Sequence, residues 1–330
     1  MKATRQNRGM ALLVVLVVIA LLSTLLTELA FSTLVDLRLT ETFRDTTRAY
    51  YLAKGGVNAG QMILQEDRNG YDGLDEPWSQ GVVNYPVGEG AVTVQITDQS
   101  GKLGINAMVN RDTPSAVMID RFYRLMLSLE IDKWGDPAEL TAALIDWIDE
   151  GESPYPMILT GGLDIPVAGA EGTYYQSLTQ PYPIKNGRIE TLKELALVKG
   201  FTPEILRRIV PHVALHEEVK VNINTASSAV LRSLDPEIDE DVADILIDHR
   251  KETPIKRLEQ LEEILPESAY IALKTIGNLG ELDLSSNLYQ IEADAVVNDG
   301  RRRLVAQVNK KNNKLTFFKV ENNAWIWQSS

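Results

Sequence analysis

The residues of this chain that could do chemistry are a group of carboxylates near the middle of the sequence. Asp146 and Asp149 are three residues apart, on one face of a predicted helix near its C-terminal end. Two negative charges there repel each other and oppose the negative end of the helix dipole. Glu152 follows directly, and Glu171 flanks a long loop predicted over residues 153–175. The group is therefore either a solvated acidic surface or a site for a hard cation.

Calcium is the cation that this pattern favours, because it takes carboxylate, carbonyl and water oxygens in irregular loops. Such an ion could order the loop, which is longer than most connections. No EF-hand pattern is present. The spacing alone therefore leaves calcium and a solvated acidic surface as open alternatives. If a cation binds, we expect Asp149 and Glu171 to be the first ligands, followed by Asp146 and Glu152.

Sequence patterns for catalysis are missing. The chain has no cysteine, which excludes thiol catalysis and thiolate metal sites. His212 and His216 are four residues apart and could share a helix face for zinc, but no HExxH motif accompanies them. We interpret them as a surface pair. Neither a G-x-S-x-G motif nor a phosphate-binding glycine loop occurs, so we expect no enzyme activity.

A second candidate function is nucleic-acid binding. Residues 221–227 (VNINTAS), followed by paired helices, resemble helix-hairpin-helix modules, in which a glycine-rich hairpin presents backbone N–H groups to a phosphate. Here the hairpin position, residues 235–241, has no glycine and is rich in acids. The net charge of the chain is −13. Because such a surface repels phosphate, we expect the helical scaffold without DNA binding and no nucleic-acid partner.

The first element of the chain is a predicted membrane-spanning helix. Residues 10–27 carry no charge and are just numerous enough to cross a bilayer as a helix. The basic residues Lys2, Arg5 and Arg8 predict a cytoplasmic N-terminus and an exported remainder. No signal-peptidase site follows the apolar run. Because the apolar periodicity continues, we predict one helix over residues 10–66, with about 10–30 in the membrane.

The remaining sequence predicts an α+β fold in which a helical insertion splits a small antiparallel sheet. The β region comprises residues 67–108 and 280–330, and the all-α insertion comprises 109–279. Alternating apolar residues predict strands at 91–97, 288–297, 303–309, 315–320 and 324–327. Capping residues and glycines predict insertion helices at 113–131, 136–151, 189–199, 203–212, 225–234, 239–251, 256–264 and 267–276, with helix-hairpin-helix or SAM-like units among them.

The N-terminus resembles that of type IV pilins and pseudopilins, which have a short basic leader ending in glycine before an apolar helix. The resemblance implies that prepilin peptidase cuts residues 1–9 off between Gly9 and Met10 and methylates the new amine. Most family members have Glu as the fifth residue after the cut, where this chain has Val14. A carboxylate in the bilayer is costly without a partner, and a subunit with none above it does not need one. Loss of this Glu is typical of the K-type minor pseudopilins of type II secretion.

Four further segments are similar to K-type signature segments, in the same order: LIDWIDEGE, AGAEGTYY, RIETLKELALVKGFTPEILRRIVPHV and VNINTASSAVL. The resemblance implies a pilin-like fold and a single-pass inner-membrane protein with its C-terminal domain in the periplasm. It implies that the protein binds calcium in the helical domain. It also implies that the protein caps the pseudopilus tip and nucleates its assembly, for export of folded proteins across the outer membrane. The implied partners are the I-type and J-type minor pseudopilins, other pseudopilins and prepilin peptidase.

Two other functions stay open at the level of the sequence. A membrane-anchored DNA-binding protein of the competence type would use the helix-hairpin-helix segment, and it predicts salt-dependent DNA binding. An anchored periplasmic metallohydrolase would use the acidic residues and histidines, and it predicts tight zinc binding and activity that a chelator removes.

Overall fold

A computed structural model of the chain describes residues 6–160 and 163–321. Its first element is helix α1 (Gln6–Glu66), whose 61 residues give a length of about 90 Å at 1.5 Å per residue. The helix begins four residues before the predicted start at Met10. Side chains of α1 before Glu41 are exposed, where they are described, and the later turns are partly buried. The helix is thus a long stem whose last turns carry the folded remainder.

Helices and short strands fill the rest of the described chain. The other α-helices are α2 (Pro77–Gln80), α3 (Ala116–Ser128), α4 (Pro137–Ile148), α5 (Gly172–Gln176), α6 (Pro203–Ile209), α7 (Ser228–Leu234), α8 (Glu240–Glu252) and α9 (Glu267–Asn278). Short 3-10 helices cover Ile105–Ala107, Ile131–Lys133, Leu192–Leu197, Val210–His212 and Leu258–Leu261. The strands are β1 (Val82–Val87), β2 (Gly90–Asp98), β3 (Leu103–Gly104), β4 (Val109–Asn110), β5 (Thr113–Pro114), β6 (Pro156–Leu159), β7 (Leu163–Ala168), β8 (Val213–Ala214), β9 (Val221–Asn222), β10 (Leu282–Asp283), β11 (Leu288–Val297), β12 (Gly300–Asn309) and β13 (Lys314–Glu321).

Five of these strands form one antiparallel sheet in the order β1-β2-β11-β12-β13. The register places Tyr289 of β11 opposite Asp98 of β2. The N–H of Gln99 donates a hydrogen bond to Leu288 O at 2.8 Å. The chain therefore leaves the sheet at Asp98 and returns beside the same point at Leu288. This arrangement is the predicted sheet split by an insertion, and β11 has the predicted bounds.

Helix α1 lies against the inner face of this sheet through small residues. Ala53 is fully buried there. A Cβ added at Gly56 would lie 2.9 Å from Val94 Cγ2, and one at Gly60 would lie 2.9 Å from Ile291 Cγ2. The glycines therefore permit close packing of helix on sheet. They do not interrupt the helix, although glycine lowers intrinsic helix stability.

The insertion has a hydrophobic core of its own, separate from the core between α1 and the sheet. Helix α3 packs against α4 and α7. The insertion core also includes Leu103 and Ile105, which the sequence assigned to the β region. We therefore extend the insertion from its predicted start at 109 to about residue 101.

The structure differs from the prediction at two places in the insertion, the start of α3 and the long loop. Thr113 and Pro114 form β5, paired with β4, and Ser115 is the N-cap of α3. The residue before a proline is driven toward extended geometry, which explains why the helix begins later than predicted. The predicted loop 153–175 contains the β6–β7 hairpin and α5, so the insertion is not purely helical.

Other helix bounds change by a few residues or change type. Helix α4 ends at Ile148, before Gly151, because Asp149 already has extended backbone geometry. The segments predicted as helices at 189–199 and 256–264 contain only short 3-10 helices. The strand predicted at 324–327 lies outside the described residues, as does most of the predicted leader.

Candidate metal centre

Three carboxylates come together where α4 ends; we call Asp146, Asp149 and Glu171 the cation cluster. Asp146 lies in the last turn of α4, Asp149 is its C-cap residue, and Glu171 is the N-cap residue of α5. One oxygen atom from each residue lies within 4.8 Å of the others. The structure thus brings together three of the four carboxylates that the sequence analysis named as ligands.

Asp146 is at the centre of this cluster and is fully buried. Its Oδ1 accepts a hydrogen bond from the Tyr155 N–H at 2.8 Å. Its Oδ2 has no hydrogen-bond partner among the described residues. A Cβ at Gly169 would collide with this Oδ2 and would lie 2.7 Å from Ala142 O. Glycine is therefore required where the chain passes Asp146 after β7.

The three carboxylates are electrostatically strained. Burial raises the pKa of Asp146 to about 7, and the charges of Glu171 and Asp149 add to the effect. Burial also raises the pKa values of Asp149 and Glu171. Glu171 Oε1 is buried and has no hydrogen-bond partner in the described part of the chain. A cation at this point would relieve both the repulsion and the missing hydrogen bonds.

The donor set fits a hard cation. Carboxylates offer only oxygen acceptors, which suit calcium or magnesium better than zinc. Within residues 6–160 and 163–321, no lysine or arginine forms an ion pair with any of the three. Two buried oxygens without donors, in a cluster of like charges, are positions that a cation would satisfy. Asp146, Asp149 and Glu171 would hold it.

Glu152, the fourth ligand named from the sequence, stands apart from the cation cluster. It is exposed and does not belong to the group of mutually close oxygens. Its charge still contributes to the raised pKa of Glu171, so it lies within electrostatic range. The turn after α4 carries it toward solvent.

A second acidic group, Asp67, Asp72 and Glu76, was missed by the sequence analysis; we call it the junction cluster. It also has one oxygen from each residue within 4.8 Å of the others. Lys310 Nζ lies 2.7 Å from Asp67 Oδ2 and 2.6 Å from Asp72 Oδ1. Since Lys310 is 238 residues away from Asp72, no local spacing could reveal the pairing.

The junction cluster also receives many hydrogen bonds. Asp72 Oδ2 accepts from the Ser286 N–H at 2.7 Å, and the Tyr289 hydroxyl donates to Asp72 Oδ1. Glu76 Oε2 accepts from the Gly73 N–H and from Trp78 Nε1, each at 2.9 Å. One lysine and several hydrogen-bond donors of the chain itself thus compensate part of the negative charge of this group.

The two histidines do not form the predicted surface pair. His216 is buried, and its Nε2 lies 3.0 Å from Gln99 O. His212 is partly buried, and its Nδ1 lies 2.8 Å from Ser227 Oγ. Burial lowers the pKa of both. The chain turns after the 3-10 helix at Val210–His212, so the four-residue spacing does not place the rings on one helix face.

Comparison with known proteins gives the family. Two family models, both described as type II secretion system (T2SS), protein K, match residues 101–218 and 221–277, together more than half of the chain. The chain belongs to the type II secretion system protein K family. The resemblance to K-type minor pseudopilins seen in the sequence is thereby confirmed.

Several curated members of the protein K family are similar to this chain. The type II secretion system protein K of Pectobacterium carotovorum is 29% identical over 67% of this chain and 67% of its own length. That of Pseudomonas aeruginosa is 26% identical over 93% of this chain and 90% of its own length. That of Aeromonas hydrophila is 25% identical over 97% of this chain and 98% of its own length. The similarity therefore extends along almost the whole chain.

The fold is similar to a solved protein K structure. A chain in the crystal structure of the GspK–GspI–GspJ complex of enterotoxigenic Escherichia coli superposes with a TM-score of 0.63 and 17% identity. The match covers 86% of this chain and 99% of that chain. It confirms the predicted α+β, pilin-like fold.

Helix α1 provides a membrane anchor of the kind expected in a pseudopilin. Among the described residues it is the one helix long and apolar enough to cross a membrane, with a mean hydropathy of 2.9 in its most apolar window. Gly9 and Met10 lie near its start, and Met10 and Val14 are exposed.

The helix-hairpin-helix segment of this protein K chain is a structural unit. Arg250 of α8 donates to Ile223 O at 2.5 Å and to Ala226 O at 2.6 Å. Asp239 caps α8 by accepting from the Val242 N–H. A carboxylate of the hairpin therefore accepts a backbone N–H that a phosphate-binding hairpin leaves free for phosphate. The DNA-binding alternative is not favoured.

Proposed function

We propose that this protein is a minor pseudopilin that caps the tip of the type II secretion pseudopilus and nucleates its assembly, for export of folded proteins across the outer membrane. Helix α1 crosses the inner membrane once and leaves the C-terminal domain in the periplasm. Prepilin peptidase removes residues 1–9 and methylates Met10. The proposed role is assembly and not catalysis.

The observation that carries the tip position is the missing acid at Val14. In a growing filament, the acid at this position pairs with the terminal amine of the subunit above it. Here the whole stretch from Met10 to Thr27 is uncharged. A subunit that needs no partner above it is suited to the end of the filament. The insertion between Asp98 and Leu288 adds bulk that would obstruct a further subunit.

The partners are proposed to be the I-type and J-type minor pseudopilins, and then the other pseudopilins. The structural relative is a complex of GspK with GspI and GspJ, which supports this choice. Between the membrane-spanning part of α1 and the sheet lies a largely exposed stretch, residues 31–43, that is rich in large apolar side chains. Phe31 is 68% exposed and Phe43 is 75% exposed. Such side chains outside the bilayer are suited to packing against helices of neighbouring subunits.

Calcium is proposed as a structural ion of the insertion, held by Asp146, Asp149 and Glu171. When bound, it would supply positive charge to three buried carboxylates and join the end of α4 to the start of α5. The β6–β7 hairpin lies between these two ends, and Asp146 already accepts a hydrogen bond from Tyr155 beside it. Loading would therefore fix the hairpin in place.

The tip position can be tested with a single gold label. The chain contains no cysteine, so Glu263→Cys, an exposed change in the insertion, introduces one unique thiol. In cells that produce pseudopili, we expect maleimide-gold at one end of each filament and none along its length. The unmodified chain is the control for background labelling. Gold distributed along the filaments would contradict the tip position.

Processing can be tested by intact-mass analysis of the protein from cells with and without prepilin peptidase. We expect loss of residues 1–9 and a methyl group on Met10 only when the peptidase is present. An unprocessed Met1 in both strains would contradict membership of the cleaved class and would make Gly9 a coincidence.

A further inference from the structure

Buried side-chain oxygens without a hydrogen-bond partner occur in the cation cluster and at Asn186. Among the described residues there are three such oxygens: Asp146 Oδ2, Glu171 Oε1 and Asn186 Oδ1. Two belong to the cation cluster. The third is the oxygen of a neutral amide in a turn that contacts the same loop. Since buried acceptors are nearly always paired, three of them on segments that contact one another point to a shared missing partner.

The turn that carries Asn186 contacts the chain on both sides of Asp149. Asn186 Nδ2 donates to Gly151 O at 3.4 Å, and the Gly151 N–H donates to Asp149 Oδ1 at 3.3 Å. The Gly187 N–H donates to Trp147 O at 3.4 Å. These bonds are long, so they alone do not hold the loop firmly. They do place the amide beside the segment that bears Asp149.

The other side of the turn is anchored to the rest of the insertion. Lys185 Nζ lies 2.6 Å from Glu194 Oε2. Glu194 also forms the capping box of the 3-10 helix that follows Thr191. Asn186 itself has a φ of 44°, in the left-handed region where Asn is enriched. The turn that carries the Asn186 amide is therefore anchored by contacts that do not involve the carboxylates of the cation cluster.

We propose that Asn186 supplies a neutral oxygen, Oδ1, to the cation that the cation cluster holds. This inference rests on the calcium site proposed above. Calcium takes six to eight oxygens, including amide oxygens, and three carboxylates provide only part of such a shell. A neutral ligand adds coordination without adding a fourth negative charge to three carboxylates whose oxygens lie within 4.8 Å of one another. The residue thus completes the site from a second segment of the chain.

Two substitutions distinguish a ligand from a residue that only holds the loop. Asn186→Gly keeps the left-handed backbone and removes the whole amide. Asn186→Asp also tolerates this backbone and keeps an oxygen, but it loses the Nδ2 donor to Gly151. The full chain in detergent, freed of metal with EGTA, is titrated with calcium chloride by isothermal calorimetry, and circular dichroism confirms that each variant is folded.

We expect Asn186→Gly to weaken calcium binding by about tenfold or more, while Asn186→Asp binds at least as tightly as the original chain. Equal weakening by both substitutions would overturn the proposal, because it would assign the effect to the lost donor. Unchanged affinity in Asn186→Gly would overturn it as well.

The matched control is Asn84→Gly in the β1 strand. Asn84 also has a left-handed backbone, with a φ of 50°, but it lies on the edge of the sheet. It should leave calcium affinity unchanged. If the unsubstituted chain binds no calcium at all, the proposed calcium site itself fails, which is a different outcome from a failure of the Asn186 assignment alone.

Discussion

The cation cluster and the junction cluster have almost the same composition, but only the junction cluster has a lysine partner among the described residues. Each consists of three carboxylates with oxygens within 4.8 Å of one another. At the junction cluster, Lys310 and donors from Ser286 and Tyr289 surround the acids. At the cation cluster, the described donors are backbone N–H groups, those of Tyr155, Gly151, Ala170 and Gly172. Whether a group of acids binds an ion is thus decided by the counter-charges that the fold brings to it.

The largest effect should come from removing the internal counter-charge. Lys310→Met leaves Asp72, which is 1% exposed, without its cation. Removing one partner of a buried pair costs about 3 kcal/mol or more of unfolding free energy. We expect urea denaturation of the full chain in detergent to show this loss for the sheet. Lys311→Met, on the adjacent exposed residue, is the control. A loss below about 0.5 kcal/mol would mean that the hydrogen bonds alone balance the junction cluster.

Removing the proposed calcium ion, which is the external counter-charge of the cation cluster, should have a nearly equal effect on stability. A ligand at a hundred times its Kd stabilises the folded state by about 2.7 kcal/mol, or roughly 5–10 °C in Tm. We expect EGTA to lower the Tm of the calcium-loaded insertion by this amount. Asp146→Asn should abolish the difference, whereas Asp248→Asn, on the exposed surface of α8, should keep it. If neither calcium nor EGTA changes the Tm, the cation cluster binds no calcium and is only an acidic group.

A smaller effect should appear as a pH dependence of the calcium-free protein. The pKa of Asp146 is about 7 in the folded chain, above the ordinary value of about 3.9 in the unfolded chain. The folded state therefore holds the proton more tightly. Its contribution to stability is complete below about pH 4 and is lost as pH rises through about 7. In EGTA we expect Tm to rise between pH 8 and pH 6, and Asp146→Asn should remove most of this rise. A flat profile in the unsubstituted chain would contradict the raised pKa.

The smallest effect should be at Glu152, the fourth acid of the same loop. It is exposed and outside the cation cluster, so Glu152→Gln should change calcium affinity less than about threefold by calorimetry, through a screened long-range charge. Asp149→Asn, measured in parallel, should weaken binding by more than tenfold. If Glu152→Gln weakens binding as much as Asp149→Asn does, Glu152 is a ligand that moves inward when calcium binds.

Much of the fold could be predicted from local signals. The uncharged run after Met10 predicted α1, and the period-two alternation over residues 288–297 predicted β11. Asp136, which accepts from the Ala138 and Glu139 N–H groups, marked the start of α4 as predicted. These elements follow from residues that are close in sequence, where capping and periodicity act.

The parts that could not be predicted depend on contacts between distant residues. Three of the four expected ligands were predicted correctly as neighbours, because the sequence shows two of them three residues apart at the end of α4 and the third just before α5. The junction cluster was invisible, since Lys310 reaches it across more than two hundred residues. Asn186, the further ligand that we propose, was not predicted because an isolated Asn-Gly pair in a sequence indicates only a turn. The hairpin at 156–168 was missed because its strands are short and contain proline.

The point where the insertion joins the sheet has a consequence for how such a chain can change over evolution. Asp98 and Leu288 belong to neighbouring antiparallel strands, so everything between them is, in topological terms, the connecting loop of one β-hairpin. The entropic cost of closing a loop rises only with the logarithm of its length. The sheet could therefore acquire, enlarge or exchange this unit without altering its own strand register. The sheet with its long helix and the insertion can thus evolve at different rates within a single polypeptide.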